Sequence, residues 1–392
     1  MQKIYRECIC CGDSGGLNIS LGTFSIAGIG ETEMNLKICN SCGSVIQDPV
    51  VSPEVMQFHY ENLSNYTNVS RDGRPDSTSI EAMTRQTKII ENHITTGSVF
   101  EVGCATGYTL SELKRKGWLV SGCEPSASAS NVARKLYEIE VQTGQFENIE
   151  IPDKAFDLVL ISHVLEHLYE PIKCLKKVNK ILKDKGYLLV EVPCLTNPEN
   201  WGNGYFTFEH INLFSKNTLE NCIVKSGFLP KDVVISLNSS EYPVVTVMAQ
   251  KVQIESESIS YYDSPLEIRE LIDTYLQSNE SEWNRINILL AKELNGFKKI
   301  VIWGGGVHTS QLLRNTTSIH RDQVVALVDI DASKHGMEIC GIKICSSTMV
   351  DLSDPAIAIV ISSKAYENEI KLFLLNQMNL QSKMICLYQL NM

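Results

Sequence analysis

The stretch Ser98–Gly117, "SVFEVGCATGYTLSELKRKG", decides the fold. It reads as a strand, a glycine-rich turn and a helix. The next stretch, "WLVSGCEPSASASNVARKL", repeats the unit as a strand with an acidic end and a helix. "FDLVLISHVLEHL" is a further strand leading into a helix. "PIKCLKKVNKILKDKGYLLVEVP" gives an amphipathic helix, a Lys-Gly turn and a strand. Strands alternating with helices predict an α/β domain with a doubly wound, Rossmann-like parallel sheet. Ligands of such sheets bind beyond the carboxyl ends of the strands.

The turn "EVGCATG" has Gly103 and Gly107, but not the spacing of a dinucleotide fingerprint, and it lacks the lysine of a phosphate loop. Its glycines let backbone approach a ligand closely. About twenty residues on, Glu124 ends the second strand, where a carboxylate accepts both hydroxyls of a ribose.

Two other regions flank this one. From "QKVQIESESISYYDSP", which is polar and serine-rich, we place a boundary near Val252. A helical stretch follows, about 266–295. Then "KKIVIWGGGVHTSQLLRN" reads as strand, triple glycine and helix, and "VVALVDID" and "AIAIVISS" add strands. This is a second, smaller Rossmann-like unit. "GGGVHT" lacks the third glycine of a nicotinamide-dinucleotide site, so that reading ranks low. At the other end, "CICCG" and "CNSCG" pair Cys8 with Cys11 and Cys39 with Cys42. Two such knuckles supply four thiolates to one structural Zn2+; buried or redox cysteines are the alternative, and Cys10 is a third candidate in the first knuckle. A head this small needs such a staple. The expected domains are 1–75, a zinc-binding head; 76–252, the central domain; and 253–392, a helical linker and the Rossmann-like tail.

Bulk properties exclude some partners. The net charge of −11 argues against nucleic acid and anionic membranes. No apolar run approaches the roughly 20 residues that span a bilayer. "MQKIYRECIC" carries no apolar signal segment, and most of the thirteen cysteines are scattered through apolar stretches. We therefore expect reduced thiols and a cytoplasmic location.

The run "FDLVLISHVLEHLYEP", continued by "LKKVNKILKDKGYLLVEVP", resembles class I S-adenosylmethionine-dependent methyltransferases over about 98–192. The resemblance implies that Glu101, Gly103, Ala105 and Gly107 line the methionine part of the cofactor and that Glu124 holds its ribose. It places Gln145 and Phe146 of "TGQFENI" beside the adenine, with Ser162 and His163 facing the cofactor. His167 is read as helix-start packing. "FLPKDVVISLNSSEYPVVTVMAQKV" fits the closing antiparallel strand pair of that fold.

The order of head, methyltransferase and tail resembles the sugar C-methyltransferases that act on nucleotide-linked 4-keto-6-deoxy sugars. Tail segments such as "VIWGGGVHTSQLL" and "LVDIDASKHGMEICGIKI" carry that resemblance. It implies that "FEHINLFS" holds the general base, His210, with Glu209 orienting it, raising its basicity or binding acceptor. A carbon acceptor needs such a base, because the hydrogen beside a ketone does not leave unaided at neutral pH. Two departures concern acceptor handling: Thr207 stands where the family usually has tyrosine, and "ISSK" ends a strand where it often has Trp-Asn. An O-methyltransferase acting on a sugar or other hydroxyl is the alternative. A non-catalytic zinc scaffold and a nicotinamide oxidoreductase rank below it. The expected partner is a small-molecule acceptor, a nucleotide sugar, and the expected state is a monomer or weak homodimer.

Overall fold

The computed structural model describes residues 3–62, 75, 77–202, 205–237, 242–253, 261–364, 366–377, 380 and 382–388. Residues 254–260 of the serine-rich linker and 238–241, between the two closing strands, lie outside the described residues. The chain divides into two compact units that interleave along the sequence. The first comprises Met1–Ser20, Asn35–Gly202 and Phe208–Ile272. The second comprises Leu21–Met34, Asn203–Thr207 and Asp273–Met392.

The amino-terminal strands are β1 (Lys3–Ile4), β2 (Gly16–Ile26), β3 (Gly30–Cys39), β4 (Val45–Gln47) and β5 (Val50–Val51). Helices α1 (Pro53–Asn62) and α2 (Ser77–Glu91) follow. The main run is then β6 (Ser98–Val102), α3 (Tyr108–Arg115), β7 (Leu119–Glu124), α4 (Ala127–Leu136), β8 (Glu140–Thr143), β9 (Phe156–Ser162), α5 (Pro171–Ile181) and β10 (Leu182–Pro193). The unit is completed by β11 (Asn212–Leu213), α6 (Lys216–Lys225), β12 (Phe228–Leu237) and β13 (Pro243–Lys251). Its seven-stranded sheet has the order β12-β13-β10-β9-β6-β7-β8. Strands β6 to β10 run parallel, and β13 and β12 close the edge antiparallel. This is the doubly wound sheet expected, with its order reversing at β6.

Alternate residues of the parallel strands feed two cores. Phe100, Val102, Val159 and Ile161 pack on one face with Leu175 and Val178 of α5. Val99, Leu158 and Leu160 pack on the other with Leu110 and Leu113 of α3. Burial on both faces explains why these strands read as near-continuous apolar runs. Two local readings change. The helix expected after β9 is a single 3-10 turn, Leu165–His167, because Pro171 takes the first turn of α5, where no N–H is needed. The Lys-Gly turn is a bulge at the start of β10, with Lys185 at φ 64° and a register shift between Leu182 and Tyr187.

Helix α7 (Pro265–Glu293) leads into the second unit. There β14 (Lys299–Trp303), α8 (Val307–Asn315), β15 (Val324–Val328), β16 (Glu338–Ile339), β17 (Ile342–Cys345), β18 (Ile357–Ile361), α9 (Glu367–Gln377) and β19 (Lys383–Cys386) follow. They form a six-stranded sheet of order β16-β17-β15-β14-β18-β19, parallel except for β16. It has its own core, including Ile286 and Leu290 of α7 against Ile300, Ile302 and Val360.

Candidate functional site

The loop after β6 is built to bring backbone close to a ligand. Gly103 (φ 69°) and Gly107 (φ 79°) both adopt the left-handed conformation. A Cβ on Gly103 would meet Val164 Cγ2 at 2.6 Å. Between them Ala105, at φ 46°, turns its N–H toward Glu124, whose Oε2 accepts it at 3.0 Å. Glu124 Oε1 accepts the Ser126 N–H at 2.8 Å. The carboxylate at the end of β7 is therefore fixed against the glycine turn. Burial raises its pKa, opposed by those two amides.

Glu101 lies one strand away and is 5% exposed. Its Oε2 is buried without a hydrogen-bond partner among the described residues. Burial first, and then the neighbouring Glu124, push its pKa up to about 8. An orphaned carboxyl beside a second carboxylate is a place for a cation. S-adenosylmethionine carries an ammonium and a sulfonium, so the residues present fit that cofactor. Phe146 is buried against Phe100, in a 3-10 turn that follows Gln145, and the Lys177 ammonium lies 4.8 Å from its ring. Gly144 donates its N–H to the Glu124 carbonyl at 3.0 Å, which ties this turn to the end of β7.

At the end of β9, Ser162 Oγ accepts from Gln86 Nε2 at 2.8 Å. His163, at φ 53°, donates its N–H to the Glu191 carbonyl. Its Nδ1 is 3.4 Å from Glu166 Oε1 and its Nε2 3.8 Å from Glu191 Oε1. Burial opposes protonation of this ring, but Glu166 and Glu191 raise its pKa overall. Beneath it, the fully buried Glu191 takes a bidentate pair from Arg85, at 2.9 and 2.7 Å, and a hydrogen bond from Thr246. Sequence reading missed Arg85, Gln86 and Glu191; a lone glutamate in the apolar run "YLLVEVP" was the available signal.

His210 and Glu209 follow on the loop before β11. The two side chains part company. Glu209 Oε1 lies 2.5 Å from His59 Nε2, on α1, and does not orient the His210 ring. The Glu209 carbonyl instead faces His167 Nδ1 at 3.0 Å, and Tyr60 Oη lies 2.8 Å from the same nitrogen. The His210 ring sits edge-on to that of His167, centroids 5.0 Å apart. Burial and the neighbouring His167 lower the His210 pKa to about 4, against the pull of Glu166 and Glu209. Glu166 is 1% exposed, and neither carboxylate oxygen has a hydrogen-bond partner among the described residues. Burial would raise its pKa, yet His167 and His163 bring it down to about 2. His167, read as helix-start packing, is thus part of an imidazole and carboxylate cluster. Nothing in the sequence linked His59 and Tyr60 to it, because helix α1 lies far upstream.

In the head, Cys8 Sγ lies 3.5 Å from Cys42 Sγ, and Cys11 Sγ 3.4 Å from Cys39 Sγ. All four sulfurs fall within 4.8 Å of one another. Ligands at about 2.3 Å from a tetrahedral Zn2+ stand roughly 3.8 Å apart, so the set fits that ion. Cys10 turns away: its sulfur is 3.6 Å from Cys222 Sγ and 3.7 Å from the Thr218 carbonyl. In the second unit, Asp329 Oδ2 accepts the Gly305 N–H at 2.7 Å, and its Oδ1 accepts the Asp331 N–H at 2.8 Å.

Residues 80–230 match a family described as "Methyltransferase domain". Residues 296–386 match a second family, described as "C2185-like, N-terminal". An uncharacterized methyltransferase of Staphylococcus carnosus is 33% identical over 96 residues, 24% of this chain and 46% of that protein. A ubiquinone biosynthesis O-methyltransferase of Bradyrhizobium diazoefficiens is 32% identical over 109 residues, 26% of this chain and 41% of that protein. The chain thus spans less than half the length of these curated relatives. Among solved structures, a Burkholderia thailandensis 1,6-didemethyltoxoflavin-N1-methyltransferase is 17% identical, with a TM-score of 0.43, covering 54% of this chain and 96% of that one. Among the described residues, no helix is long and apolar enough to cross a membrane.

Proposed function

We propose that the chain is an S-adenosylmethionine-dependent methyltransferase acting on a small-molecule acceptor. The observation that carries this reading is the orphaned Glu101 carboxyl beside Glu124 and the Gly103–Gly107 turn, within a stretch that matches a methyltransferase domain. Glu101, Gly103, Ala105 and Gly107 would hold the methionine part, and Glu124 the ribose. Gln145 and Phe146 would flank the adenine, with Ser162 and His163 at the reacting end. Bound S-adenosylmethionine supplies an electrophilic methyl on a sulfonium. Zn2+ on Cys8, Cys11, Cys39 and Cys42 would hold the head together.

His210 takes the acceptor's proton in this reading. It lies beyond β10 and next to Glu166 and His167, and its lowered pKa keeps the ring neutral at neutral pH, with a lone pair to accept a proton. Glu209, paired to His59, fixes the loop that presents the ring. The finer proposal is C-methylation of a nucleotide-linked keto-deoxy sugar by a cytoplasmic enzyme, a monomer or weak homodimer. The four-cysteine head and the place of His210 support it. O-methylation of a hydroxyl is the second reading, favoured by the ubiquinone-biosynthesis relative, which is itself an O-methyltransferase.

Calorimetry with S-adenosylmethionine and with NAD tests the first step. Glu124→Ala removes an acceptor of charge-assisted hydrogen bonds, each about 1.5–3 kcal/mol, and should weaken S-adenosylmethionine by at least roughly tenfold. No binding by the wild type would overturn the reading. Mass spectrometry against a panel of nucleotide sugars then identifies the acceptor. Deuterium uptake beside a ketone separates C- from O-methylation.

A further inference from the structure

Outside the cofactor loop and the cysteine head, one cluster of potential ligands lies among the described residues. Glu166 and His167 stand side by side on a 3-10 turn, and His210 arrives from a loop more than forty residues later. One side-chain donor atom from each lies within 4.8 Å of the other two. The carboxylate is almost wholly inside the protein, yet neither oxygen accepts a hydrogen bond among the described residues. Its neighbours are His163 Nδ1 at 3.4 Å and His167 Nε2 at 3.8 Å from Oε1.

The orientation of His167 can be read from its other nitrogen. Nδ1 faces the Glu209 carbonyl at 3.0 Å. Tyr60 Oη, 2.8 Å from the same nitrogen, can donate or accept, whereas the carbonyl only accepts; with the Nδ1 proton on the carbonyl, Nε2 is left toward Glu166, 3.8 Å from Oε1. A ring nitrogen donating to a carbonyl is the usual outer-shell arrangement of a metal-binding histidine. Two ligands at about 2.1 Å from a tetrahedral ion lie roughly 3.4 Å apart. Glu166 Oε1 and His167 Nε2 therefore need to close by only a few tenths of an ångström.

We infer that Glu166, His167 and His210 form a second cation site, distinct from the four-cysteine site, which binds a divalent transition metal such as Zn2+. Two imidazoles and one carboxylate suit Zn2+, Co2+ or Fe2+ and not Ca2+ or Mg2+, which prefer all-oxygen ligand sets. Three protein ligands leave a position open to water or to an acceptor oxygen. Occupancy has a consequence that rests on the proposed role of His210. A neutral imidazole has one lone-pair nitrogen, and a metal on it leaves no nitrogen to take a proton. Zn2+ at this site is thus an inhibitor of proton abstraction.

The test uses full-length protein stripped with a chelator and then dialysed against Zn2+ or Co2+. Metal analysis should count a second equivalent beyond the thiolate one. With Co2+, the first equivalent should show thiolate-to-metal charge transfer and the second only weak ligand-field bands. Glu166→Gln and His210→Ala should each weaken the second equivalent by at least about tenfold and leave the thiolate bands unchanged. Cys39→Ser should do the reverse. Uptake of the thiolate equivalent alone by wild type overturns the inference, whether or not either variant folds. So does a Glu166→Gln protein that retains the second equivalent at wild-type affinity. Neither readout uses S-adenosylmethionine or an acceptor. Calorimetry of the stripped protein with S-adenosylmethionine reports separately on the proposed methyl transfer.

Discussion

At the scale of single residues, Glu101 and His210 make opposite demands on a proton. Glu101 is raised from its ordinary 4.5 to about 8 by burial and by Glu124. It is therefore protonated at neutral pH in the free protein. An acid whose folded pKa is raised favours the folded state at low pH and loses that contribution as pH climbs from 4.5 toward 8. A cationic ligand prefers the ionised form. Affinity for S-adenosylmethionine should therefore rise with pH by up to about tenfold per unit below 8, then level off. Calorimetry in buffers of different ionisation enthalpy should register proton release on binding at pH 7. Glu101→Gln should bind weakly and without that pH dependence; an unchanged profile would place the methionine end elsewhere. His210 is tested by substitution. A general base contributes roughly 10²–10⁴-fold in rate, so His210→Ala should lose that much turnover while cofactor affinity stays within about twofold. A packed ring would instead lower the melting temperature and weaken both together.

At the scale of elements, the loop between β6 and α3 is specified by backbone conformation as much as by side chains. Gly103→Ala places a methyl against Val164 in a left-handed conformation that disfavours any Cβ. The expected penalty is about 1–2 kcal/mol from conformation alone, with loss of cofactor binding as Val164 is displaced. Thermal denaturation and calorimetry on the same sample read both effects, and a variant that matches wild type in each would count against the loop's role. This element was legible in the sequence because its information is local: a strand, two glycines, a helix and an acid at the next strand end. The knuckles were legible for the same reason, since each needs only a Cys-x-x-Cys and a glycine. Cys10 was not, because only its contact with Cys222 and Thr218, more than two hundred residues on, turns it away from the other sulfurs. His59 with Glu209, and Arg85 with Glu191, were hidden for that reason too. Each is half of an ion pair, and half a pair has no spacing to read.

At the scale of the whole molecule, the two compact units do not follow the order of the chain. The tail's Rossmann-like sheet includes in its unit the short run Leu21–Met34, at the tip of the β2–β3 hairpin. Ser25 shows what this insertion does within the second unit. Its N–H donates to Ser310 Oγ at 2.8 Å, and its own hydroxyl accepts the Cys340 N–H at 2.8 Å. Ser25 and Cys340 are both buried, so water offers no substitute partner. Ser25→Ala leaves the Cys340 amide without its acceptor, a penalty of about 1–3 kcal/mol for a buried donor. Ser25→Thr keeps the hydroxyl and should recover part of it. The expected result is a lower melting temperature for the unit containing the tail, with S-adenosylmethionine affinity unchanged, because the cofactor loop belongs to the other unit. Hydrogen exchange should show faster exchange of the Cys340 amide in the alanine variant. An alanine variant with wild-type melting and an equally protected Cys340 amide would mean that this unit does not depend on the hairpin tip.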